Sequence, residues 1–431
     1  MVKINIKKQK LKKIPILSFF TGGGFLDIGF EQAGFDVVWT NECNNYFAEL
    51  YKNGYNSWYK SLNSTKITKI TDDAPIETLK YKKILNQAFL NDLPEIFGII
   101  GGPPCPDFST GGKHKGEDGE RGKLTRTYVE LIIKMQPSFF VLENVSGLHK
   151  FHKHRLFLDK MENLLREKGH YVIDHRILNA LEYGVPQNRE RIFIVGINRD
   201  FAKKYYNHKH VKNLKDWYPW PNIPKYSNAL KRFKWPIPNA YGDIPERPVN
   251  IPDELMVNKY MLDKDDQYKI PNGNDVFKAH SKKFYSIKEG DTSRKSFKRL
   301  HRYKFSPTAC YGNNEVHLHP WLPRRLSIRE AMRLQGIPDS YILPENTTLS
   351  SKFKMISNGV PVPLAYNVAK SLRKYLTHIS KSSYSKSFKD KSKNKLNVNI
   401  QNVTKINHDF KSVSKKVHKK ILINKVFSDN H

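Results

Sequence analysis

Short apolar runs alternate with amphipathic segments over residues 14–198. Helical spacing of apolar side chains marks residues 26–33, 125–135 and 156–168. Apolar runs of strand length, of the kind found in strands buried on both faces, precede and follow these segments. They are residues 14–19, 37–39, 96–100, 139–142 and 192–195. The alternation is typical of a parallel sheet covered by helices, so the pattern predicts an α/β fold.

The pattern changes after residue 202. Residues 203–320 contain scattered prolines, aromatics and lysines without a long periodic segment, which indicates a separate, irregular domain. Helical periodicity returns at residues 326–335 and 363–375, and the end of the chain has a lysine-, serine- and asparagine-rich composition typical of disorder. The sequence therefore predicts a main domain, an irregular domain, a return segment that completes the main domain, and a basic tail. These are residues 1–202, 203–305, 306–378 and 379–431.

Composition and charge narrow the class of protein. The sequence has no run of about 18 apolar residues that would span a membrane. Residues 1–13 are rich in lysine but lack the apolar stretch of a secretory signal. Cys43, Cys105 and Cys310 are far apart and form no CxxC pair, which argues against a disulfide framework or a cysteine zinc site and predicts a cytoplasmic protein. The formal charge of +33 favours a polyanionic partner, although a generally lysine-rich organism would also produce it.

A glycine-rich turn joins the first apolar run to the first helix. Residues 20–24, hereafter the glycine loop, read Phe-Thr-Gly-Gly-Gly, and Glu42 follows the next strand. Glycines allow a ligand to approach the backbone closely, and an acidic residue about 20 positions further on suits ribose hydroxyls. A dinucleotide, an adenosyl sulfonium cofactor, or a tight turn with a surface glutamate would each explain the pattern.

Three further groups lie at the ends of apolar runs. Cys105 follows two prolines on a rigid turn where α/β folds place their ligands, so a nucleophile and a buried structural cysteine are both open. Glu143 and Asn144 end the run that begins at residue 139, where they suit either a site or the cap of the next helix. The charged residues 187–191 suit either a site or the solvated start of a strand.

The order of these groups along the chain is more informative than any one of them. It resembles the motif series of the DNA (cytosine-5)-methyltransferases over residues 15–198 and about 306–375. The most specific part is the Pro-Pro-Cys turn followed at matching spacing by Glu-Asn-Val. The series comprises the glycine loop, Glu42, and residues 103–105, 143–145, 187–191, 324–336 and 358–361. The resemblance implies a Rossmann-like S-adenosylmethionine-dependent methyltransferase sheet with a smaller target-recognition domain.

The resemblance also assigns roles to individual residues. Cys105 would be the nucleophile that adds to carbon 6 of cytosine, and Glu143 would act at N3 of the ring. Arg191 would lie against the carbonyl oxygen of the base, and Arg189 would help to hold the base and the carboxylate. The cofactor would be S-adenosylmethionine. The residues assigned to it are Phe20, Thr21, Gly22, Gly24, Glu42, Cys43, Pro104 and Asn358.

Five positions depart from the family pattern. Ser18 and Ser357 stand where the family usually has aspartate and glycine. Phe25 replaces a frequent glycine, and Pro106 replaces a frequent glutamine. The acidic residue expected before the Ile-Thr-Lys-Ile sequence is also absent, since Lys66 stands there. These departures affect details of cofactor contact and loop closure rather than the reaction.

The resemblance further implies that the target cytosine is swung out of double-stranded DNA. The glycine-rich residues 109–125 would then be a mobile loop that closes over the base, although simple disorder also explains them. A monomer acting on DNA in the cytoplasm, at the nucleoid, is expected, with a cognate restriction endonuclease acting separately. Cations of the target-recognition domain are expected to contact phosphates or guanines. They are Lys282, Lys283, Arg294, Lys295, Lys298, Arg299 and Arg302.

Alternatives from other classes explain the motifs less well. A family member acting on tRNA usually has a smaller recognition segment than the roughly 100 residues available here, which favours DNA. A non-catalytic DNA-binding protein of the same fold would not need the set Cys105, Glu143 and Arg191. A nicotinamide-dependent oxidoreductase leaves the Pro-Pro-Cys turn unexplained. No metal is expected, because the one histidine cluster lies in a basic loop without a cysteine and suits a solvated surface. That cluster is His149, His152 and His154.

Overall fold

A computed structural model describes residues 13–104, 120–205, 218–221, 224–311 and 315–377. Every predicted apolar run overlaps one of its strands, and the predicted α/β fold is confirmed. The strands are β1 (Ile14–Phe19), β2 (Phe35–Asn41), β3 (Gly98–Gly101), β4 (Phe139–Val145), β5 (Tyr171–Asn179), β6 (Gln187–Asn188), β7 (Glu190–Asn198) and β8 (Ser306–Pro307). Only β5 among the longer strands had no counterpart in the sequence-based prediction.

Six of these strands form one sheet in the order β2-β1-β3-β4-β7-β5. The first four are parallel, whereas β7 runs antiparallel to both of its neighbours. The prediction of a parallel sheet is therefore wrong at β7. The physical reason is the connection: β5 and β7 are joined by residues 180–189 alone, and a short link returns the chain as an antiparallel neighbour instead of crossing over the sheet.

Helices cover the sheet, and the five predicted helices are all present. The segment predicted at residues 326–335 is the shortest of them in the structure, a helix of six residues that begins at a capping box formed by Ser327 and Glu330. No helix in the described ranges is long and apolar enough to cross a membrane. The longer helices are α1 (Phe25–Gln32), α2 (Asn45–Ser61), α3 (Tyr81–Phe89), α4 (Glu120–Met135), α6 (His152–Glu167), α7 (Arg199–Tyr205), α10 (Ile328–Arg333), α11 (Leu349–Asn358) and α12 (residues 362–377). The short ones are α5 (Gly147–Lys150), α8 (Ala229–Arg232) and α9 (Asp266–Lys269).

Two large apolar clusters hold these layers together. The first packs α3, α4 and α6 against side chains such as Leu17 and Phe140 on the sheet. The second joins α1 and α2 to α10 and α11 of the return segment, with Phe25 and Tyr341 inside it. Each fully buried side chain of this size contributes roughly 1.5–3 kcal/mol relative to exposure. The return segment is therefore fastened to the start of the chain by packing.

Residues 203–305 contain only short helical turns where the structure describes them. Small apolar clusters form around Leu255 and Met256 and around Phe284, while Val257 and Leu300 pack into the second large cluster. At the end of this segment the chain returns to the residues that precede β7, because β8 pairs in parallel with β6 through Ser306 and Gln187. The boundaries of the four predicted parts remain predictions, and residues 378–431 lie outside the described ranges.

Candidate active site

Several of the predicted site residues that the structure describes lie at one edge of the sheet. Phe19 at the end of β1 pairs with Gly101 at the end of β3, and Gly101 pairs with Leu142 of β4. Parallel strands end at the same edge, so the loops that follow these three residues start side by side. Because β7 runs the other way, its first residues arrive at that edge too, with Arg191 opposite Val145.

The glycine loop has a backbone that few residues tolerate. Phe20, Gly22 and Gly24 have φ angles of 53°, 55° and 70°, in the left-handed region. A Cβ on Gly24 would lie 2.5 Å from the rings of Tyr51 and Tyr55, so glycine is required there on two counts. By contrast, a Cβ on Gly22 would meet only a backbone oxygen at 3.9 Å. The space beside Gly22 is therefore open to a ligand.

Glu42 closes one side of this loop. One of its carboxylate oxygens accepts a hydrogen bond from the Gly22 N–H at 2.9 Å, and the other accepts from the Asn44 N–H at 2.9 Å. Burial raises the pKa of Glu42, and the two N–H donors offset part of that rise. Each oxygen keeps a second lone pair, so the carboxylate can still accept from a hydroxyl. Cys43 beside it is an exposed residue, although its thiol is partly screened from solvent. This partial burial and the charge of Glu42 raise the pKa of the thiol.

The return segment reaches the other side of the loop. The Tyr341 hydroxyl donates to the Gly23 carbonyl at 2.8 Å, and a Cβ on Gly23 would lie 2.9 Å from the Met355 sulfur of α11. Asn358, predicted to contact the cofactor, is the exposed last residue of the same helix. The fold therefore brings Asn358 to the region of the glycine loop from more than 300 residues away in the sequence.

Phe25, one of the departures from the family pattern, is accommodated by this packing. Its side chain is buried, and its ring lies edge-on to Tyr341 with centroids 5.6 Å apart. A Cβ on Gly359 would come within 2.1 Å of the same ring. The phenylalanine therefore fills the contact between α1 and the return segment, and the glycine that makes room for it lies at position 359.

An acidic residue lies six positions after Lys66, beside the end of β2. Lys66 forms ion pairs with Glu31 and Asp36, both at 2.9 Å. The residue that pairs with Asn41 at the end of β2 is Asp72, through a parallel bridge. Burial would raise the pKa of Asp72, but hydrogen bonds from the Lys83 ammonium and from a backbone N–H outweigh it and lower the pKa. Sequence reasoning missed this residue because the same Ile-Thr pattern occurs at residues 67–68 and 70–71.

Glu143 lies at the end of β4 beneath the turn that leads to Cys105. A Cβ on Gly102 would lie 2.7 Å from one Glu143 oxygen, so the glycine makes room for the carboxyl group. The next side chain, Asn144, donates to the Pro103 carbonyl at 3.3 Å and ties the turn to the strand. Burial raises the pKa of Glu143, although the charges of Arg191 and Arg189 oppose the rise. This carboxyl group therefore holds a proton more readily than an exposed glutamate.

The two predicted arginines occupy different environments. Arg191 places its Nε 2.9 Å from Glu143 Oε1 and is slightly exposed. Arg189 is fully buried and donates to the carbonyls of Ala309, Ser357 and Gly359 at 3.1, 2.6 and 3.0 Å. Burial lowers its pKa to about 9. Arg189 therefore ties β7 to the return segment through backbone groups. At Ser357 it donates to the backbone carbonyl and not to the serine side chain.

Cys105 and Pro106 lie outside the described residues, as does most of the predicted closing loop. Pro104, the last described residue before them, is exposed.

Two expectations about polar side chains are wrong. Arg299, expected to face DNA, is buried, and its guanidinium donates to four backbone carbonyls. Arg302 donates hydrogen bonds from Nε and Nη2 to the carboxylate of the buried Glu289, and its side chain is largely buried. His154 is buried as well, so the histidine cluster is not wholly solvated. Within the described ranges, no three histidine, cysteine or acidic side chains are grouped so as to hold a metal ion.

Comparison with known proteins adds independent information. A family model described as C-5 cytosine-specific DNA methylase matches residues 14–374. The type II methyltransferase M.NmeDI of Neisseria meningitidis serogroup C is 43% identical over 376 residues, which cover 86% of each chain. The type II methyltransferase M.FnuDI of Fusobacterium nucleatum is 29% identical over 84% of this chain and 95% of that protein. A solved structure from Escherichia coli, of a prophage-encoded protein predicted to be a DNA modification methyltransferase, is 25% identical with a TM-score of 0.55, covering 85% of this chain and all of that one.

Proposed function

The chain belongs to the C-5 cytosine-specific DNA methylase family, and from that premise we propose how it acts. It is a DNA (cytosine-5)-methyltransferase of the bacterial restriction–modification type. We infer that it transfers a methyl group from S-adenosylmethionine to carbon 5 of a flipped-out cytosine in a specific double-stranded sequence. The observation that carries this inference is the placement of Glu143 and Arg191 beneath the Pro-Pro turn that leads to Cys105.

The reaction needs a nucleophile because carbon 5 of cytosine is itself a poor one. The Cys105 thiolate adds to carbon 6, and the electron pair of the ring double bond moves toward N3. Carbon 5 then takes the methyl group. Loss of the carbon 5 proton and departure of the thiolate restore the double bond. Cys310 is the only described exposed cysteine of the return segment, so it is the thiol to compare with Cys105.

Glu143 supplies the proton that the ring needs when the thiolate adds. Its carboxyl group is buried, which raises its pKa and favours the protonated form that donates to N3. Arg191 opposes this effect with its charge, yet keeps the carboxyl group oriented at 2.9 Å. Its slightly exposed guanidinium also has donors left for the carbonyl oxygen of the base. Arg189 acts on the site as a positioning residue, through the backbone of the return segment.

The glycine loop and its surroundings fit an adenosyl cofactor. The open space beside Gly22 admits a ligand to the backbone, and the Glu42 carboxylate has lone pairs for ribose hydroxyls. Phe20 is partly exposed and offers an apolar surface to an adenine ring. When bound, S-adenosylmethionine supplies an electrophilic methyl group. The residues that would hold it are Phe20, Thr21, Gly22, Gly24, Glu42, Cys43, Pro104 and Asn358.

The remaining parts of the proposal concern DNA. Residues 203–305 would recognise the target sequence, because β8, which follows them, pairs with β6 directly before the predicted site residues Arg189 and Arg191. Exposed cations there, including Lys282, Lys283, Arg294 and Lys295, are available to phosphates. The thiolate must approach carbon 6 from a face of the ring, and neighbouring bases cover both faces inside a duplex, so the cytosine must swing out. We expect a monomer at the nucleoid, with a cognate endonuclease acting separately.

A covalent trap tests the mechanism. Bisulfite sequencing of DNA from cells expressing the protein first identifies the target. A duplex is then prepared with 5-fluorocytosine at that position. Fluorine replaces the hydrogen that must leave carbon 5 as a proton, so release of the enzyme is blocked. With S-adenosylmethionine present, we expect a complex that survives denaturing electrophoresis and whose peptide map places the adduct on Cys105.

Matched variants make the outcome decisive. Cys105→Ala should abolish the trapped complex and keep noncovalent DNA binding, whereas Cys310→Ala should form it normally. An adduct on Cys310, or full methylation by Cys105→Ala, would contradict the mechanism. Trapping on a fluorinated tRNA instead of the duplex would move the substrate to RNA.

A further inference from the structure

The serine at position 18 has a carboxyl partner on another element. Ser18 lies near the end of β1, where the family usually has aspartate. Its hydroxyl donates to Asp27 Oδ1 at 2.7 Å. Asp27 lies in the first turn of α1, on the far side of the glycine loop, and each of the two residues is only 1% exposed. A carboxyl group is thus present at the end of β1 although the sequence of β1 does not provide it.

This contact extends to the glycine loop through a third side chain. The Thr21 hydroxyl lies 3.2 Å from the Ser18 carbonyl and 3.2 Å from the Ser18 hydroxyl oxygen. Ser18 has one hydroxyl proton, which it donates to Asp27, so its oxygen can only accept from Thr21. The hydrogen bonds therefore run in one direction, from Thr21 to Ser18 to Asp27.

The loop needs such an anchor because its backbone is strained. Three of its five residues are in the left-handed region, and one of them, Phe20, is not a glycine. Such conformations persist only where the surroundings impose them. Glu42 holds the loop at Gly22 and Tyr341 holds it at Gly23. Thr21 is the attachment to the interior of the fold.

Asp27 also has an oxygen that the fold itself does not use. Its Oδ2 is buried, and no hydrogen-bond donor for it is found among the described residues. Burial raises the pKa of Asp27 to about 7, with a smaller upward contribution from Glu31 and downward ones from Ser18 and Lys66. A buried carboxyl group with a spare oxygen is costly to keep. The hydrogen bond from Ser18 offsets part of that cost.

We propose that Asp27 supplies, from α1, the carboxyl group that the family usually carries at residue 18, and that it is the positioning residue that holds the glycine loop in its cofactor-binding shape. The part that concerns cofactor affinity rests on the proposed function. The part that concerns the shape of the loop does not. The two parts therefore call for separate measurements.

The test is a carboxyl swap in the full chain. Asp27→Ser removes the group, and the double variant Ser18→Asp/Asp27→Ser restores it on β1. Asp73→Ser, at an exposed aspartate, is the matched control. The first measurement is hydrogen exchange of the backbone amides of residues 20–24 without cofactor. The second is calorimetric binding of S-adenosylhomocysteine.

The expected pattern is loss followed by rescue. In Asp27→Ser, we expect the loop amides to exchange on the order of tenfold faster and S-adenosylhomocysteine to bind on the order of tenfold more weakly, because the hydrogen bond from Ser18 to the carboxyl group is lost. The double variant should return both values to within about threefold of the unmodified chain, and Asp73→Ser should change neither. Loop exchange unaffected by Asp27→Ser would overturn the proposal. So would a folded double variant that fails to recover.

Two further outcomes are also decisive. If Asp27→Ser does not fold, recovery of folding and loop protection in the double variant supports the swap, and an unfolded double variant overturns it. If the unmodified chain fails to bind S-adenosylhomocysteine, the proposed cofactor is wrong. Loop exchange then still decides the role of Asp27.

Discussion

Asp27→Asn should change how the stability of the protein depends on pH. Asp27 has a pKa of about 7 in the fold, against about 4 in an unfolded chain. A raised pKa means that the folded protein favours the protonated carboxyl. Its stabilising contribution is therefore complete below about pH 4 and is lost as the pH rises through 7. Three pKa units correspond to about 4 kcal/mol, of which roughly 2 kcal/mol is lost between pH 5.5 and pH 8.5.

Urea unfolding of the two proteins at several pH values measures this loss. The carboxamide keeps an acceptor for Ser18 and cannot ionise, so its stability relative to the unmodified protein should rise by about 2 kcal/mol from pH 5.5 to pH 8.5. Glu31, Lys66, Tyr51 and Tyr55 also act on Asp27 or lie within its field. They are present in both proteins, and their own titration largely cancels in the difference. A difference that stays constant with pH would refute the reasoning, and Asp73→Asn should give such a constant difference.

Three other substitutions test the site and the recognition segment. Glu143→Gln should lower methyl transfer by at least about a hundredfold, since the carboxyl group no longer donates to N3, and should leave cofactor affinity within about twofold by calorimetry; unchanged turnover would remove Glu143 from the mechanism. Arg299→Met should destabilise the fold by about 3 kcal/mol in urea unfolding, because four carbonyls lose their donor. Arg294→Gln, at an exposed arginine, should leave stability within about 0.5 kcal/mol and reduce the salt dependence of DNA binding by about one counterion; equal effects of the two arginines on stability would contradict the assignment.

The strands that could be predicted are those buried on both faces. Their apolar runs are continuous, as in β1 and β4. β5 escaped prediction because it lies at the edge of the sheet and carries Asp174, His175 and Arg176 in its middle. The antiparallel direction of β7 depends on its short connection to β5, so the apolar run of β7 does not reveal it.

The site was predictable as a set of motifs but not as a set of contacts. The resemblance located Glu143 and Arg191, whereas their 2.9 Å approach depends on the antiparallel register of β4 and β7. Likewise, the sequence of β1 has no carboxyl group at position 18. The carboxyl partner of Ser18 is Asp27, which lies nine residues away on a helix. Such pairs depend on how the chain turns between two elements, and the sequence pattern of either element alone does not contain that information.

The arginines show why positive charge in an irregular segment is a poor predictor of a DNA-binding surface. Chain without strands or long helices leaves backbone carbonyls without amide partners, and a buried carbonyl must find a donor. A guanidinium has five N–H donors in one plane, so a single arginine can satisfy several carbonyls at once. Arg299 and Arg329 do so for residues 284–322 and 271–341, and Arg189 does so where β7 meets the return segment. Some of the positive charge that suggests a DNA-binding surface therefore lies inside the fold, where it joins separate segments of the backbone.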